Sequence, residues 1–197
     1  MIYPQSAPFR VLPFLCLFLF CLFQAPAAMG RNPDWAVPVT SPAVPNLFRV
    51  TPDIYRSAQP ETADMQALER MGIRTVISLR GFHGDAEKAK GTKLILVSIP
   101  INTWDIDDDK VILALRALRD ADKPVLVHCQ HGADRTGLIM AMYHMIEQGW
   151  SREKALDELQ NGGYGFHPMW VNIVEYLRKV DVERIRATVK AGAIKTE

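Results

Sequence analysis

Between Asn46 and Val180 the apolar residues switch repeatedly between a period of two and a period near 3.6, the marks of strands alternating with helices. "NLFRVTPDIYRSAQP", Asn46 to Pro60, alternates and predicts one or two short strands. Thr62 to Met71 carries Met65, Leu68 and Met71 at helical spacing and stops at Gly72, a suitable C-cap. Ile73 to Arg80 is rich in β-branched residues and predicts a strand, followed by the loop "GFHGDAEKAKG". Lys93 to Pro100, "KLILVSIP", is almost continuously apolar, which suits a parallel strand buried on both faces. "DDDKVILALRAL" predicts a helix capped by Asp107 or Asp108. Val125 to His128 is a short buried strand after Pro124. Helices are predicted over Thr136 to Gln148, from a Ser151 cap to Gln160, and over His167 to Val180.

This order predicts an α/β domain with a central, mostly parallel sheet of about four to five strands flanked by helices and joined by right-handed crossovers. In open α/β sheets, ligands bind beyond the carboxyl ends of the strands. His128 and Cys129 stand at such an end, and the loop after Pro100 stands at another.

The N-terminus has a different pattern. Arg10 precedes an apolar run from Val11 to Phe23, and Ala25-Pro26-Ala27 follows with small side chains. That is the order of a secretory signal, covering residues 1–27 with cleavage after Ala27, or alternatively after Ala28. The run is too short for a bilayer, which takes ~20 apolar residues, so no stable membrane insertion is expected after cleavage. The Pro-rich residues 28–45 read as an extended tether, residues 46–182 as the folded domain and residues 183–197 as a tail. The mature chain is thus expected in the periplasm or outside the cell.

Export changes the meaning of the cysteines. Cys16 and Cys21 leave with the signal, so Cys129 alone remains and no internal disulfide can form. A net charge of +1 points away from nucleic-acid partners.

The chemistry concentrates after that cysteine. Between Cys129 and Thr136 a strand stops, a short loop turns and a helix begins. Successive amides in such a turn form a concave anion nest, and the helix N-terminus adds partial positive charge. Gly132 lets the loop take conformations closed to other residues. Arg135 supplies a planar fork matching two phosphate oxygens. The same field favours the thiolate form of Cys129. A phosphate cradle with a thiolate aimed at its centre is the layout for phosphoryl transfer through a cysteinyl-phosphate.

The run "HCQHGADRTG", His128 to Gly137, matches the HCxxGxxR[ST] signature and resembles the cysteine-dependent protein tyrosine and dual-specificity phosphatases. From "NLFRVTPDIYRSAQP" through "QGWSREKALDELQNGGYGF" the chain looks like the bacterial periplasmic TpbA-like branch of that superfamily. The resemblance implies Cys129 as nucleophile, Arg135 as phosphate clamp, His128 as the residue ordering the loop, and Thr136 as a hydroxyl donor to the sulfur. It also implies a phosphate cradle of amides from Gln130, His131, Gly132, Ala133, Asp134 and Arg135. No metal or cofactor is called for, because the loop and Arg135 stabilise the charge.

The family's general acid is an aspartate about two dozen residues before the cysteine, within "INTWDIDDD". An ungapped comparison sets Trp104 at that position, leaving Asp105, Asp107 and Asp108 as candidates, with Asp105 preferred because it precedes the helix. Arg80, at the end of its strand, is a candidate substrate contact. The five loop residues "QHGAD" carry no Lys or Arg, which favours phosphotyrosine in phosphorylated proteins over a polyanion. The alternatives are a small phosphorylated metabolite or inositol phosphate as substrate, or a non-catalytic phosphate-binding module.

Overall fold

The structure, a computed structural model, describes residues 31–40, 44–82 and 84–192. The signal segment 1–27 and residues 193–197 of the expected tail lie outside the described residues. Among the described residues six strands make one sheet: β1 (Val37–Pro38), β2 (Phe48–Thr51), β3 (Ile54–Ser57), β4 (Thr75–Ser78), β5 (Ile95–Ser98) and β6 (Val125–His128). Their spatial order is β1-β2-β3-β6-β4-β5. The four strands β3, β6, β4 and β5 run parallel, and β1 and β2 add an antiparallel margin.

The central position of β6 explains its composition. Paired on both sides and covered on both faces, all four of its residues are buried. Val125 and Val127 face the larger core, while Leu126 faces the cluster with Val76, Met65 and Leu68. In register across the sheet, Ser57, His128, Ser78 and Ser98 form one row at the carboxyl ends. The chain leaves β6 at the middle of that row, where the loop after His128 has walls on both sides.

Among the described residues six helices pack around the sheet: α1 (Thr62–Arg70), α2 (Asp108–Asp120), α3 (Asp134–Glu147), α4 (Arg152–Asn161), α5 (Val171–Lys179) and α6 (Val182–Ala191). Asp107 caps α2, accepting from Asp109 N at 2.8 Å, and Ser151 caps α4. Helix α3 packs against α2, α4, α5 and α6 and is buried almost all round, which accounts for its weak amphipathicity. It begins at Asp134, so Arg135 belongs to its first turn.

Four expectations are corrected. The apolar run of β5 suited a strand buried on both faces, yet β5 is the free edge, with Ile95 47% and Leu96 38% exposed. Apolarity made it a strand, but the order of pairing placed it at the edge. The described part of the Pro-rich segment is docked: β1 pairs with β2, and Ala36 and Val44 are buried. Arg31 anchors it by donating to the Ala36 and Gly162 carbonyls and to Tyr164 Oη. The described part of the expected tail forms α6, with Ile185 and Val189 buried and its last carbonyls taken by Arg116 and Arg119. The helix expected from His167 begins at Val171, and His167 to Trp170 form a turn closed by a Trp170 N to His167 O bond of 3.1 Å.

Glu158 on α4 ties the docked segment to the core. Its carboxylate accepts from Tyr164 Oη at 2.6 Å and Ala36 N at 3.1 Å, and it pairs with His144 Nε2 at 2.9 Å. Burial pushes the carboxyl pKa up, but these partners outweigh it and hold it at about 2, below the ordinary 4.5. A folded pKa below the unfolded one stabilises the fold above about pH 4.5, and the contribution fades as pH falls towards 2. Glu158→Gln is therefore expected to be less stable than wild type by on the order of 3 kcal/mol near neutrality. The gap should close in acid, as read by urea unfolding at stepped pH. A gap of constant size across that range would remove the electrostatic account.

Candidate active site

Three successive carbonyls of the loop after β6 are tied back to the body of the protein. Gln130 O accepts from Gln59 N at 3.1 Å, His131 O from Asn46 Nδ2 at 2.8 Å, and Gly132 O from an Arg56 guanidinium nitrogen at 2.8 Å. In trans peptides the N–H points opposite its carbonyl, so pulling these oxygens outward turns the amides to the concave side. Gly132 has a φ of +71°, and a Cβ there would collide with the Ser57 carbonyl, so glycine is required twice over.

Cys129, a free thiol only 1% exposed, leaves β6 directly beneath this turn. Behind it lies His128, fully buried, with Nε2 2.7 Å from Asp85 Oδ2 and Nδ1 3.2 Å from the Cys129 carbonyl. Gln59 Nε2 donates to the other Asp85 oxygen at 3.2 Å. The loop root is thus held by a buried acid–imidazole pair whose acid comes from the β4–β5 loop.

A cleft of about 390 Å³ opens over the loop. Arg80, Gln130, His131, Asp134 and Arg135 all line it, which brings five of the sequence candidates to one place. One guanidinium nitrogen of Arg135, Nη1, donates to Leu79 O at 3.3 Å, which fixes where the fork sits. Gly132 and Ala133 are buried within the loop wall. Asp134 is buried and committed, accepting from His167 N at 2.9 Å while His167 Nδ1 lies 2.9 Å from its other oxygen. Thr136 is fully buried, but its hydroxyl makes no hydrogen bond among the described residues, so the expected contact with the sulfur is absent from this structure.

The three aspartate candidates separate. Asp107 is the α2 cap, and Asp108 accepts from Tyr176 Oη at 2.7 Å and pairs with Arg184. Asp105 is exposed and unpaired among the described residues. It lines a neighbouring cleft, one residue beyond Trp104, which borders both.

Sequence reasoning missed Asp85, Arg56 and His167. Arg56 is 1% exposed and lies behind the loop, its guanidinium carbon 3.6 Å from the centre of the Tyr164 ring. Burial lowers its pKa, while Tyr164, Glu158 and Cys129 sustain its charge. Only the parallel pairing of β3 with β6 puts this cation behind Cys129. The missed rim of the cleft is apolar: Phe82, Trp104 and Met169 are 89%, 66% and 72% exposed and ring a polar floor.

A cysteine at the carboxyl end of a central parallel strand, an amide-lined turn and an arginine in the following helical turn define a cysteine-dependent phosphatase. The chain matches the Swiss Army Knife protein, DSP-PTPase phosphatase domain, over residues 54–170, and it belongs to that family. It is 38% identical over 175 residues to the dual specificity protein phosphatase TpbA of Pseudomonas aeruginosa strain UCBPP-PA14, covering 87% of this chain and 78% of that protein. The crystal structure of P. aeruginosa TpbA superposes with a TM-score of 0.74 at 36% identity, covering 81% of this chain and 99% of that one. A cysteine-to-serine variant of TpbA, solved in complex with phosphotyrosine, gives the same TM-score at 35% identity, covering 82% and 99%. An inositol diphosphatase of Arabidopsis thaliana is 31% identical over 125 residues, 59% of this chain and 61% of that protein. The chain is a phosphatase with the fold of these dual-specificity enzymes.

Proposed function

We propose that this phosphatase is exported and hydrolyses phosphotyrosine in proteins through a cysteinyl-phosphate. The observation that carries the reading is the cleft: an aromatic and thioether rim above the loop, with Arg80 and Arg135 as its only Lys or Arg residues among the described residues. A phenyl phosphate ester inserts its ring between Phe82, Trp104 and Met169 while its dianion reaches the amides and Arg135. The loop has no further cation for an inositol polyphosphate.

In the first step the Cys129 sulfur attacks phosphorus, the bond from phosphorus to the phenolic oxygen breaks, and the leaving oxygen takes a proton. Water then gives a proton to the carboxylate left by the donor and attacks phosphorus, the sulfur leaves as thiolate, and inorganic phosphate is released. Arg135 and the loop amides hold the equatorial oxygens throughout. His128, held by Asp85, positions the loop. Asp105 is the proton donor in this reading. Its unpaired carboxylate, one residue beyond Trp104, enters the cleft when the segment from Asn102 to Ile106 swings inward. A phenol has a pKa of ~10, well below an alkyl alcohol, so the enzyme depends least on that acid with phosphotyrosine.

The test compares kcat/KM for phosphotyrosine peptides, phosphoserine peptides and inositol polyphosphates. The expected order puts phosphotyrosine first by at least ~10-fold, with Asp105→Asn lowering kcat by ~10². Equal turnover of phosphoserine, or faster turnover of the inositol substrates, would overturn the substrate assignment. Export is checked separately by fractionation and N-terminal sequencing, with the mature chain expected to begin at Ala28 or Met29.

A further inference from the structure

Two imidazoles and a carboxylate converge at the mouth of the cleft without a part in the reaction above. His131 on the loop, Asp134 at the start of α3 and His167 in the turn before α5 place their ligating atoms within 4.8 Å of one another. All three also line the cleft. We infer that they form a binding site for one divalent transition-metal ion, with zinc the best fit. The ion would regulate the enzyme by obstructing its phosphate site.

The donor set selects the metal. Two nitrogens and one carboxylate oxygen with an open fourth position match a three-ligand zinc site, whereas magnesium and calcium prefer oxygen throughout. Zinc bonds of ~2.0–2.1 Å in a tetrahedron set neighbouring ligand atoms roughly 3.3 Å apart. Asp134 and His167 now touch directly at 2.9 Å, so the ion would replace that contact and part the two atoms by a few tenths of an ångström. His131 is the ligand that must approach, and it is exposed, with its ring centre 5.1 Å from that of His167 at a tilt of 57°. A rotation of this side chain closes the site. The Asp134 carboxylate is fixed in advance by the His167 backbone amide, as ligating carboxylates commonly are by an outer partner.

The open position faces the cleft, so an ion held there meets the incoming phosphate and pins His131 on the loop. This consequence rests on the phosphatase reading; the binding site itself does not. Cys129 as a thiolate is the competing zinc ligand in the same loop. The experiment therefore uses the mature chain carrying Cys129→Ser, titrated with zinc against a zinc-responsive dye and read without any turnover. One equivalent is expected to bind, and adding His131→Ala or His167→Ala should each weaken it by at least ~10-fold. Loss of zinc binding in Cys129→Ser alone, or unchanged affinity in either histidine variant, would overturn the site. Should His167→Ala fail to fold, His131→Ala decides alone, because that side chain is on the surface. Failure of the phosphatase reading would show instead as absent hydrolysis by the metal-free wild type, with zinc binding unaffected.

Discussion

Cys129→Ser is expected to lower hydrolysis of an aryl phosphate by at least ~10⁴-fold while phosphate or vanadate still binds. The two outcomes separate because attack and binding belong to different groups. The sulfur forms the covalent bond, whereas the cradle consists of amides whose carbonyls are held by Gln59, Asn46 and Arg56. Serine fits the space and leaves those bonds in place, but a hydroxyl there has no adjacent base to activate it, since both ring nitrogens of His128 face oxygen atoms. Arg135→Lys is the companion. A point charge replaces the fork, so kcat should fall by ~10²–10³. Steady-state kinetics in the presence of a chelator, beside vanadate titration, reads both. Turnover that survives in Cys129→Ser would remove the covalent mechanism. Loss of binding along with activity would mean that the sulfur is part of the cradle.

The next largest effect is expected at a residue that no substrate touches. Arg56→Met keeps the length of the side chain but removes a buried cation that donates to Gly132 O and stacks on Tyr164. The Gly132 carbonyl loses its partner, and the Glu158 carboxylate loses a favourable charge. Breaking such a buried network costs about 3–5 kcal/mol. Urea unfolding should register that loss. Because the same bond orients a peptide of the loop, kcat should also fall by ~10-fold in the fraction that stays folded, with KM changed less. A folded variant with wild-type kcat would assign Arg56 to stability alone. Arg56→Lys tests the geometry: it keeps charge without the fork, so it should recover part of the stability and little of the rate.

These two residues show how unevenly the site was legible. Cys129, Arg135 and the glycine between them lie within one short run whose spacing states the chemistry, because strand end, nest and helix start are consecutive in the chain. Arg56 carries no such mark. It sits in an alternating stretch where an arginine reads as a solvent-facing residue, yet parallel pairing with β6 buries it beneath the loop. Asp85 lay in a polar loop, 43 positions before the His128 it serves, and His167 lies 33 positions after Asp134. Asp105 was preferred for preceding its helix, and the structure sets it beyond the wall of the cleft rather than within it.

The same division runs through the fold. Amphipathic period, caps and β-branched runs specified α1, α2, α4 and β6 within a residue or two, since those signals act between neighbours in the chain. The edge position of β5, the docking of Arg31 to Pro38 and the helix after Asp181 depended on which surfaces remained uncovered once the core had closed. By itself the sequence determined the α/β class, the cysteine–arginine loop and the family, all written in contacts of short range. The tertiary structure alone decided which buried charges stand behind the loop, which aromatic side chains rim the cleft, and that His131, Asp134 and His167 meet. Those relations join segments far apart in the chain, and only the packing of the whole domain brings such segments into contact.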